Sequence, residues 1–419
     1  PGLAKSLLTG NQSLPAVPEV GTRDLFQHQV DIIEVKPEPG QDHRVAVTVA
    51  VGGQGEGGSK PARDLKLFRD GRLVAQHNGA EGRPFECTGS PFTFRNIALP
   101  RNKNQVLFTA HAVNIDKVRS KTASFDYKYS ASRGVEQRLF VVAAGVNNFD
   151  DAAFYLKYAV NDARAFVEGL SDHFTSGPVK ATALIGDRQT NEPTKNNLRS
   201  ALMDLQLKGN DPKKFDGPWP DDVVALLISS HGLTLAETFY ILPSDIPEDG
   251  PTHPDFPGRA VSADELGQWL AGIDAGEIVM VLDACQSGSA LGGDDFKPGP
   301  MGDRGLGQLA YDKAMRILSA TNENKPAMEY DNLEHGLLSH VLMVEGLERG
   351  LGQGADSFTA RDWFKFALIK TSEVETQAGG AKGFGRPPQG PDSVQEPRFF
   401  DFGGADSFLL RKRNAKKND

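Results

Sequence analysis

Four continuous apolar runs after residue 137 limit the fold more than any other feature of the chain. They cover residues 139–146, 181–185, 223–228 and 278–282, and segments with helical spacing lie between them. A strand that is apolar on both faces belongs inside a parallel sheet with helices on both sides. This alternation therefore predicts an α/β region with an open, mostly parallel sheet.

The preceding part of the chain has only strand-like patterns. Valines alternate from Val45 to Val51, and further strand-like runs follow up to about residue 130. Asp70-Gly71 separates two of these runs and suits a tight hairpin turn. About seven short strands without long helices are typical of a β-sandwich. We therefore expect a small all-β, sandwich-like accessory domain before the α/β domain.

These patterns divide the chain into four parts. Residues 1–22 are predicted to be an N-terminal tail, residues 23–130 the accessory domain, residues 137–410 the α/β domain and residues 411–419 a basic tail. For the basic residues of the last part, a solvated tail is the favoured interpretation.

Composition excludes several classes of protein. The net charge is −9, which argues against nucleic acid as the main partner. Only Cys87 and Cys285 are present, so a disulfide framework is excluded and a reducing compartment is favoured. No apolar segment reaches the roughly 18 residues that a membrane span needs. The first residues lack the apolar core of a secretory signal, and a cytoplasmic location is expected.

A glycine-rich segment matches the spelling of a dinucleotide-binding motif. Residues 53–58 read G-Q-G-E-G-G and follow a predicted strand. A dinucleotide site requires a helix to begin there, whereas Ser59-Lys60-Pro61 and another strand pattern follow. We therefore interpret this segment as a loop and predict no cofactor.

Two apolar runs end in residues that could perform nucleophilic catalysis. Ser229-Ser230-His231-Gly232 follows the run at 223–228, and Asp283-Ala284-Cys285 follows the run at 278–282. If the strands are neighbours, His231 and Cys285 lie side by side at the carboxyl edge of the sheet. A histidine there could accept the thiol proton. Taken singly, each residue is more often structural.

The same motifs resemble those of the caspase/metacaspase superfamily, peptidase family C14, and in particular bacterial caspase-like proteases. The motifs that show this resemblance are S-S-H-G, D-A-C-Q-S-G, Asn161-Asp162-Ala163, the segment 238–245, and a later region with Glu329 and His335-Gly336. A histidine about 50 residues before the cysteine is also the caspase spacing. The resemblance covers about residues 138–403 and does not include the N-terminal domain.

The resemblance implies a cysteine endopeptidase with His231 as general base and Cys285 as nucleophile, acting through a thioester. The backbone amides of Gly232 and Cys285 are then the expected oxyanion hole. Metacaspases resemble one another in an acidic S1 pocket, whose matching positions here are Asp162, Ser229 and Asp283. Paired carboxylates favour a basic substrate side chain, with Arg preferred over Lys. The structural alternative is that Asp162 caps a helix turn and Asp283 is a buried hydrogen-bonded group.

Two departures from family patterns limit what can be carried over. Animal caspases resemble Q-A-C-R-G at the cysteine and accept aspartate, whereas this chain has Asp283 and Ser287, so aspartate specificity is not expected. Many metacaspases have an acidic run after the histidine, whereas residues 233–237 contain one acid. Calcium takes about six to eight oxygen ligands. We therefore expect no metal, although Asp294 and Asp295 remain candidate ligands.

Competing functions remain open at this point. The expected partners are protein or peptide substrates with Arg or Lys at the cleaved position, together with an activating protein, in a bacterial defence or cell-death response. The alternatives are a catalytically inactive scaffold whose sandwich binds a partner, and another thiol amidohydrolase on the same fold.

The segment between Cys285 and the next predicted strand suggests self-processing. Residues 289–311 are rich in Gly, Asp and Pro, and we interpret them as an exposed loop. This loop contains Arg304, in Gly302-Asp303-Arg304-Gly305, and Lys297, which Pro298 follows. Arg304 is the favoured site of autocleavage, and Lys297 is the second choice. An uncut loop over the active site is the alternative.

Overall fold

The structure is a computed structural model that combines two regions of different architecture. Its described residues are 25–41, 43–52, 54–55, 58–78, 85, 91–132, 134–150, 154–186, 191–206, 217–235, 238–286, 304–321, 327–351, 357–378, 395–404 and 407–411. Among the helices within these ranges, none is long and apolar enough to cross a membrane.

In the described residues of the N-terminal region, the regular elements are all antiparallel strands. They are β1 (Gln29–Pro37), β2 (Arg44–Gly52), β3 (Gln54–Gly55), β4 (Gly58–Ser59), β5 (Ala62–Arg69), β6 (Arg72–Asn78), β7 (Phe92–Ala98), β8 (Gln105–Asn114) and β9 (Ala123–Lys128). One sheet has the order β1–β2–β7 and another the order β6–β5–β8–β9, while β3 pairs with β4. Val47, Val49, Leu65, Leu67 and Phe108 are completely buried in their shared core. The prediction of a small sandwich-like region is confirmed.

The Asp70-Gly71 turn joins β5 to β6, as its sequence predicts. Both residues have positive φ, 49° for Asp70 and 79° for Gly71. Two consecutive positive φ angles define the hairpin turn whose twist matches that of the flanking strands, and Asp-Gly adopts it readily. The turn places Arg69 directly opposite Arg72 in the strand register.

The glycine-rich segment is not entirely a loop. Its parts Gln54–Gly55 and Gly58–Ser59 pair as two very short antiparallel strands, which corrects the sequence-based interpretation. The next element along the chain is the strand β5 rather than a helix. A dinucleotide site needs a helix N-terminus at this position, so the motif is only a matching spelling.

The C-terminal region alternates strands and helices. Its strands are β10 (Leu139–Gly145), β11 (Val179–Leu184), β12 (Val223–Leu235), β13 (Thr238–Ile241), β14 (Val261–Ser262), β15 (Glu277–Gln286), β16 (Arg316–Ser319), β17 (Glu329–Tyr330), β18 (His335–Gly336), β19 (Ser357–Thr359), β20 (Arg398–Asp401) and β21 (Leu409–Arg411). Its α-helices are α1 (Ala159–His173), α2 (Lys195–Met203), α3 (Phe256–Arg259), α4 (Ala263–Ala271), α5 (Arg304–Asp312), α6 (Leu337–His340) and α7 (Ala360–Ala378). A 3₁₀ turn covers Gly250–Thr252, and a π-helix, Val341–Glu348, continues α6.

The central sheet has the strand order β11–β10–β12–β15–β16–β20. The first five strands are parallel and β20 is antiparallel. One hydrophobic core lies on the face covered by α1, α6 and α7, and a second lies on the face covered by α2, α4 and α5. This arrangement confirms the predicted open, mostly parallel sheet with helices on both faces.

Helix α5 corrects the interpretation of residues 289–311 as one continuous loop. Arg304 is the first residue of this helix, whereas Lys297 lies outside the described residues. Leu306 and Ala310 are completely buried in the second core, and Leu309 packs against it. These residues recur at helical spacing, so the apolar period is present but short, and Gly305 and Gly307 on either side of Leu306 conceal it.

The sandwich contacts the central sheet of the C-terminal region at the end where the parallel strands begin. Arg69 forms two hydrogen bonds with Asp274, which lies just before β15, at 2.8 and 3.0 Å. Lys66 pairs with Asp312 at the end of α5 at 2.5 Å. Lys313, which is buried, donates to the carbonyl oxygen of Leu73 at 3.3 Å. These contacts lie at the end of the sheet opposite to the carboxyl ends of its parallel strands. The domain bounds 23–130 and 137–410 remain predictions.

Candidate active site

Strands β12 and β15 are parallel neighbours, and their register brings the predicted catalytic residues together. His231 is the register partner of Cys285, and two positions earlier Ser229 is the partner of Asp283. The two backbones therefore run side by side at the carboxyl end of the sheet. The side chain of Cys285 lies outside the described part of the structure, so its catalytic role remains a prediction.

Both strands extend further than the sequence pattern indicates. The apolar run stops at Ile228, but β12 continues to Leu235 and pairs with β13 in an antiparallel hairpin. His231 therefore lies within a strand that projects beyond β10, whose pairing with β12 ends at Ser229. Ser230 donates to the carbonyl oxygen of Leu242 at 2.5 Å, which ties this projecting segment to the residue after β13.

The imidazole of His231 is held in one tautomer by a backbone carbonyl. Nε2 lies 2.8 Å from the carbonyl oxygen of Phe154. That oxygen can only accept, so Nε2 carries the proton and Nδ1 keeps its lone pair. Nδ1 is buried and has no hydrogen-bond partner among the described residues. The rings of Phe149 and Phe154 flank the imidazole, with centroids at 5.5 and 5.9 Å.

Burial lowers the pKa of His231 to about 4, and the hydrogen bond to Phe154 opposes this only in part. At neutral pH the imidazole is therefore uncharged, which is the form that can accept a proton. Neither Phe149 nor Phe154 was singled out from the sequence. The carbonyl of Phe154 gives no sequence signal, because any residue has a backbone oxygen.

Asp162, on the first turn of α1, is a buried acceptor with three donors. Ser229 Oγ donates to it at 3.0 Å, His335 Nδ1 at 2.9 Å and the amide of Gly336 at 3.2 Å. Its side chain is 1% exposed, and burial raises its pKa despite these hydrogen bonds. The structure thus brings Asp162 and Ser229 together, as predicted, through a contact that joins α1 to β12.

Asp283 lies in the same cluster. It accepts a hydrogen bond from Ser339 Oγ at 2.7 Å, and burial followed by repulsion from Asp162 raises its pKa to about 7. Glu329, whose pKa is also raised by burial, adds to this repulsion. Within the described residues, no Lys or Arg forms an ion pair with Asp162 or Asp283. The cluster is therefore strongly electronegative and lacks a strong cation of its own.

Gly336 separates the two carboxylates. A Cβ at this position would lie 2.9 Å from Asp283 Oδ2 and 3.1 Å from Asp162 Oδ2, so any side chain would push the carboxylates apart. Sequence reasoning included His335 and Gly336 in the family resemblance but gave them no role, and it missed Ser339. A His-Gly pair and a serine three residues after the glycine are common in sequences, so they did not indicate these contacts.

The remaining site predictions are not decided by the geometry. Gly232 is in register with Gln286 of β15 on one side and with Ile241 of β13 on the other. Its assignment as an oxyanion donor remains a prediction. Among the described residues, no group of three or more His, Cys, Asp or Glu side chains could hold a metal ion. Asp294 and Asp295 lie outside those residues.

Comparison with known families gives one result that bears on this site. A family model described as the caspase domain of peptidase family C14 matches residues 138–359, which is more than half of the chain and includes every predicted catalytic and S1 residue. The chain therefore belongs to the caspase peptidase family. This family indicates a cysteine-type peptidase that acts on protein substrates. A search of curated proteins found no match to the chain.

Proposed function

We propose that this chain is a cysteine endopeptidase that cleaves proteins after basic residues, Arg in preference to Lys. The observation that carries the proposal is the register of β12 and β15, which sets His231 beside Cys285 and Ser229 beside Asp283. Catalytic and recognition residues then alternate along the same pair of strands. Neighbouring residues of these two strands could therefore hold the carbonyl group of the cleaved bond and the side chain of the substrate residue that carries this carbonyl.

The chemistry begins with proton transfer from the thiol of Cys285 to Nδ1 of His231. The thiolate attacks the carbonyl carbon of the substrate, and negative charge develops on the carbonyl oxygen. We assign the amides of Gly232 and Cys285 as its donors. As the C–N bond breaks, the leaving amine takes the proton from Nδ1. A water molecule, deprotonated by the same nitrogen, then hydrolyses the thioester and regenerates the thiol.

Recognition of a basic side chain is supported by the carboxylates of Asp162 and Asp283. They are buried, electronegative and lack a Lys or Arg partner among the described residues. A guanidinium can form two parallel hydrogen bonds with a carboxylate, which favours Arg over Lys. An entering cation would also favour the ionised form of Asp283. A substrate aspartate would meet repulsion from the same groups.

Replacement of the catalytic pair gives the most direct test. Cys285→Ala should abolish hydrolysis of peptide amides ending in Arg, and His231→Ala should lower kcat/KM at least about a thousandfold. The matched control is Cys87→Ala, which changes the other cysteine and should retain activity. Peptides ending in Arg, Lys and Asp, assayed in parallel, distinguish a basic endopeptidase from an inactive scaffold. Wild-type turnover in Cys285→Ala, or none in the wild type, contradicts the proposal.

We further propose cleavage of the chain after Arg304, by its own active site. Arg304 begins α5, and the core contacts of this helix start two residues later, at Leu306. Fraying of the first turn would therefore expose the bond without disturbing the core. Intact-mass measurement should find two fragments in the wild type and one chain in Cys285→Ala and Arg304→Gln. Lys297→Gln is the control and should be cut. A fully active enzyme that stays uncut contradicts this proposal.

The setting of this activity is also proposed. We place the enzyme in the cytoplasm, where two free cysteines would stay reduced, and expect an activating protein partner and a role in bacterial defence. We also expect the enzyme to be active without calcium or a cofactor. Full activity in the presence of a chelator is the result to look for.

A further inference from the structure

A cleft of about 450 Å³ lies between the sandwich and the peptidase region, at the end of the sheet opposite His231. The β5–β6 turn lines one side, and the residues that precede β12 and begin β15 line the other. Its volume falls in the usual range for sites that bind small molecules. Residues of both regions form its walls, so an occupant would touch both.

The acidic residues of this cleft already have cationic partners. Lys103 binds Asp70 at 3.2 Å. Asp221 accepts from the guanidinium of Arg101 at 2.6 and 3.0 Å. A third acid, Glu277, pairs with Arg316 and also accepts from Ser407 Oγ at 2.8 Å and from the amide of Phe408 at 2.7 Å. Each carboxylate is thus neutralised by a cation.

Arg72 differs from these groups because no carboxylate of the described residues forms a direct ion pair with it, although Glu277 and Asp274 attract it from a distance. Its side chain is partly buried in the wall of the cleft, and within the described part of the chain it makes no hydrogen bond or ion pair. The neighbouring Arg69 is fully engaged with Asp274 and with the carbonyl oxygen of Ala98, at 2.5 Å. Burial lowers the pKa of Arg72. Attraction by Glu277 and Asp274 opposes this effect in part, and repulsion from Arg69 and Arg316 adds to it.

A buried cation without a partner is unfavourable, and an external anion would remove the penalty. The cleft also contains neutral side chains that can donate hydrogen bonds, namely Asn102 and Ser176. We propose that this cleft binds a small molecule that carries a phosphate or carboxylate group, with Arg72 as its principal ligand. Such a molecule would contact the sandwich and the strand that carries Cys285 at once.

Thermal unfolding of the full chain tests this proposal. Sodium phosphate and sodium acetate are titrated separately against chloride at constant ionic strength, which shows which oxyanion is preferred. The melting temperature of the wild type should rise with saturation, by about 1.6 °C at ten times Kd. Arg72→Gln should lose this rise, while Arg95→Gln, which changes an exposed arginine of the same sandwich, should keep it.

If Arg72 only stabilised the fold, Arg72→Gln would unfold at a lower temperature than the wild type in chloride alone. The proposal expects the same melting temperature or a higher one, because the substitution removes an unpaired charge. Line broadening of the ³¹P signal of phosphate by the wild type, and not by Arg72→Gln, is the direct measure of binding. An equal phosphate effect in both proteins overturns the proposal.

Discussion

Both ends of the parallel sheet contain buried carboxylates, but the groups that donate hydrogen bonds to these carboxylates differ. Where β12 begins, Asp222 accepts from Arg138 at 2.6 and 3.0 Å, from Arg101 at 3.3 Å and from the amide of Trp219 at 2.8 Å. Where β12 and β15 approach His231, Asp162 and Asp283 have hydroxyl, amide and imidazole donors, with no Lys or Arg among the described residues.

The difference separates a structural use of buried charge from a functional one. A carboxylate enclosed by arginines has its charge satisfied within the fold and holds two regions together. A carboxylate that lacks a strong cation is left with a raised pKa and can be satisfied by a charge that arrives with a ligand. The same contrast applies to the interdomain cleft with the signs reversed, because Arg72 is there the charge without a partner.

The largest effect on stability is expected at the arginine-enclosed end. Asp222→Ala should lower the free energy of unfolding by about 3–5 kcal/mol, because it removes the carboxylate that pairs with the buried Arg138 and the second of the two carboxylates that Arg101 contacts. Urea unfolding at neutral pH measures this. Glu34→Ala, which removes the exposed partner of Lys36, is the control and should change stability by less than about 1 kcal/mol. If both variants lost the same free energy of unfolding, the buried charge of Asp222 would not stabilise the fold more than an exposed ion pair does, which would contradict its structural role.

The next effect concerns substrate preference at the other end. Asp283→Asn keeps the shape of the side chain and removes its charge, so kcat/KM for Arg peptides should fall about a hundredfold, or about 2.7 kcal/mol. Stability should not fall, because the charge has no cationic partner to lose. Asp31→Asn, on an exposed edge of the sandwich, is the control. A loss of stability without a loss of Arg preference would make Asp283 a structural residue.

The smallest effect is the pH dependence of stability. The pKa of Asp283 is about 7 in the folded protein and about 4 in an unfolded chain, so the folded state binds more protons between these values. The free energy of unfolding should therefore fall as pH rises from 4 to 7, by at least about 1 kcal/mol from this residue. Asp283→Asn should lack this component. Since His231 is present in both proteins, the difference between their urea midpoints across pH isolates Asp283. Parallel curves would refute the raised pKa.

Local sequence patterns were sufficient for the strands of both regions. The run at 223–228 and the one at 278–282 are apolar on both faces, a pattern that only a covered parallel strand explains. Because parallel strands end at the same edge, the pairing of His231 with Cys285 could be predicted on the condition that the two strands are neighbours, and the structure shows that they are. The Asp70-Gly71 turn was equally local, since its two residues favour positive φ wherever they occur.

The tertiary structure decided the contacts between residues that are distant along the chain. Asp162 and His335, 173 positions apart, meet only because α1 and β18 pack beside the end of β12. The Phe154 carbonyl that orients His231 and the arginines that enclose Asp222 depend in the same way on how whole elements pack. No periodicity encodes such meetings. The sequence alone thus indicated which residues could perform chemistry, whereas packing determined which buried charges are neutralised within the fold. Asp283 and Arg72 have no ion-pair partner among the described residues, which is why we propose that a ligand supplies one.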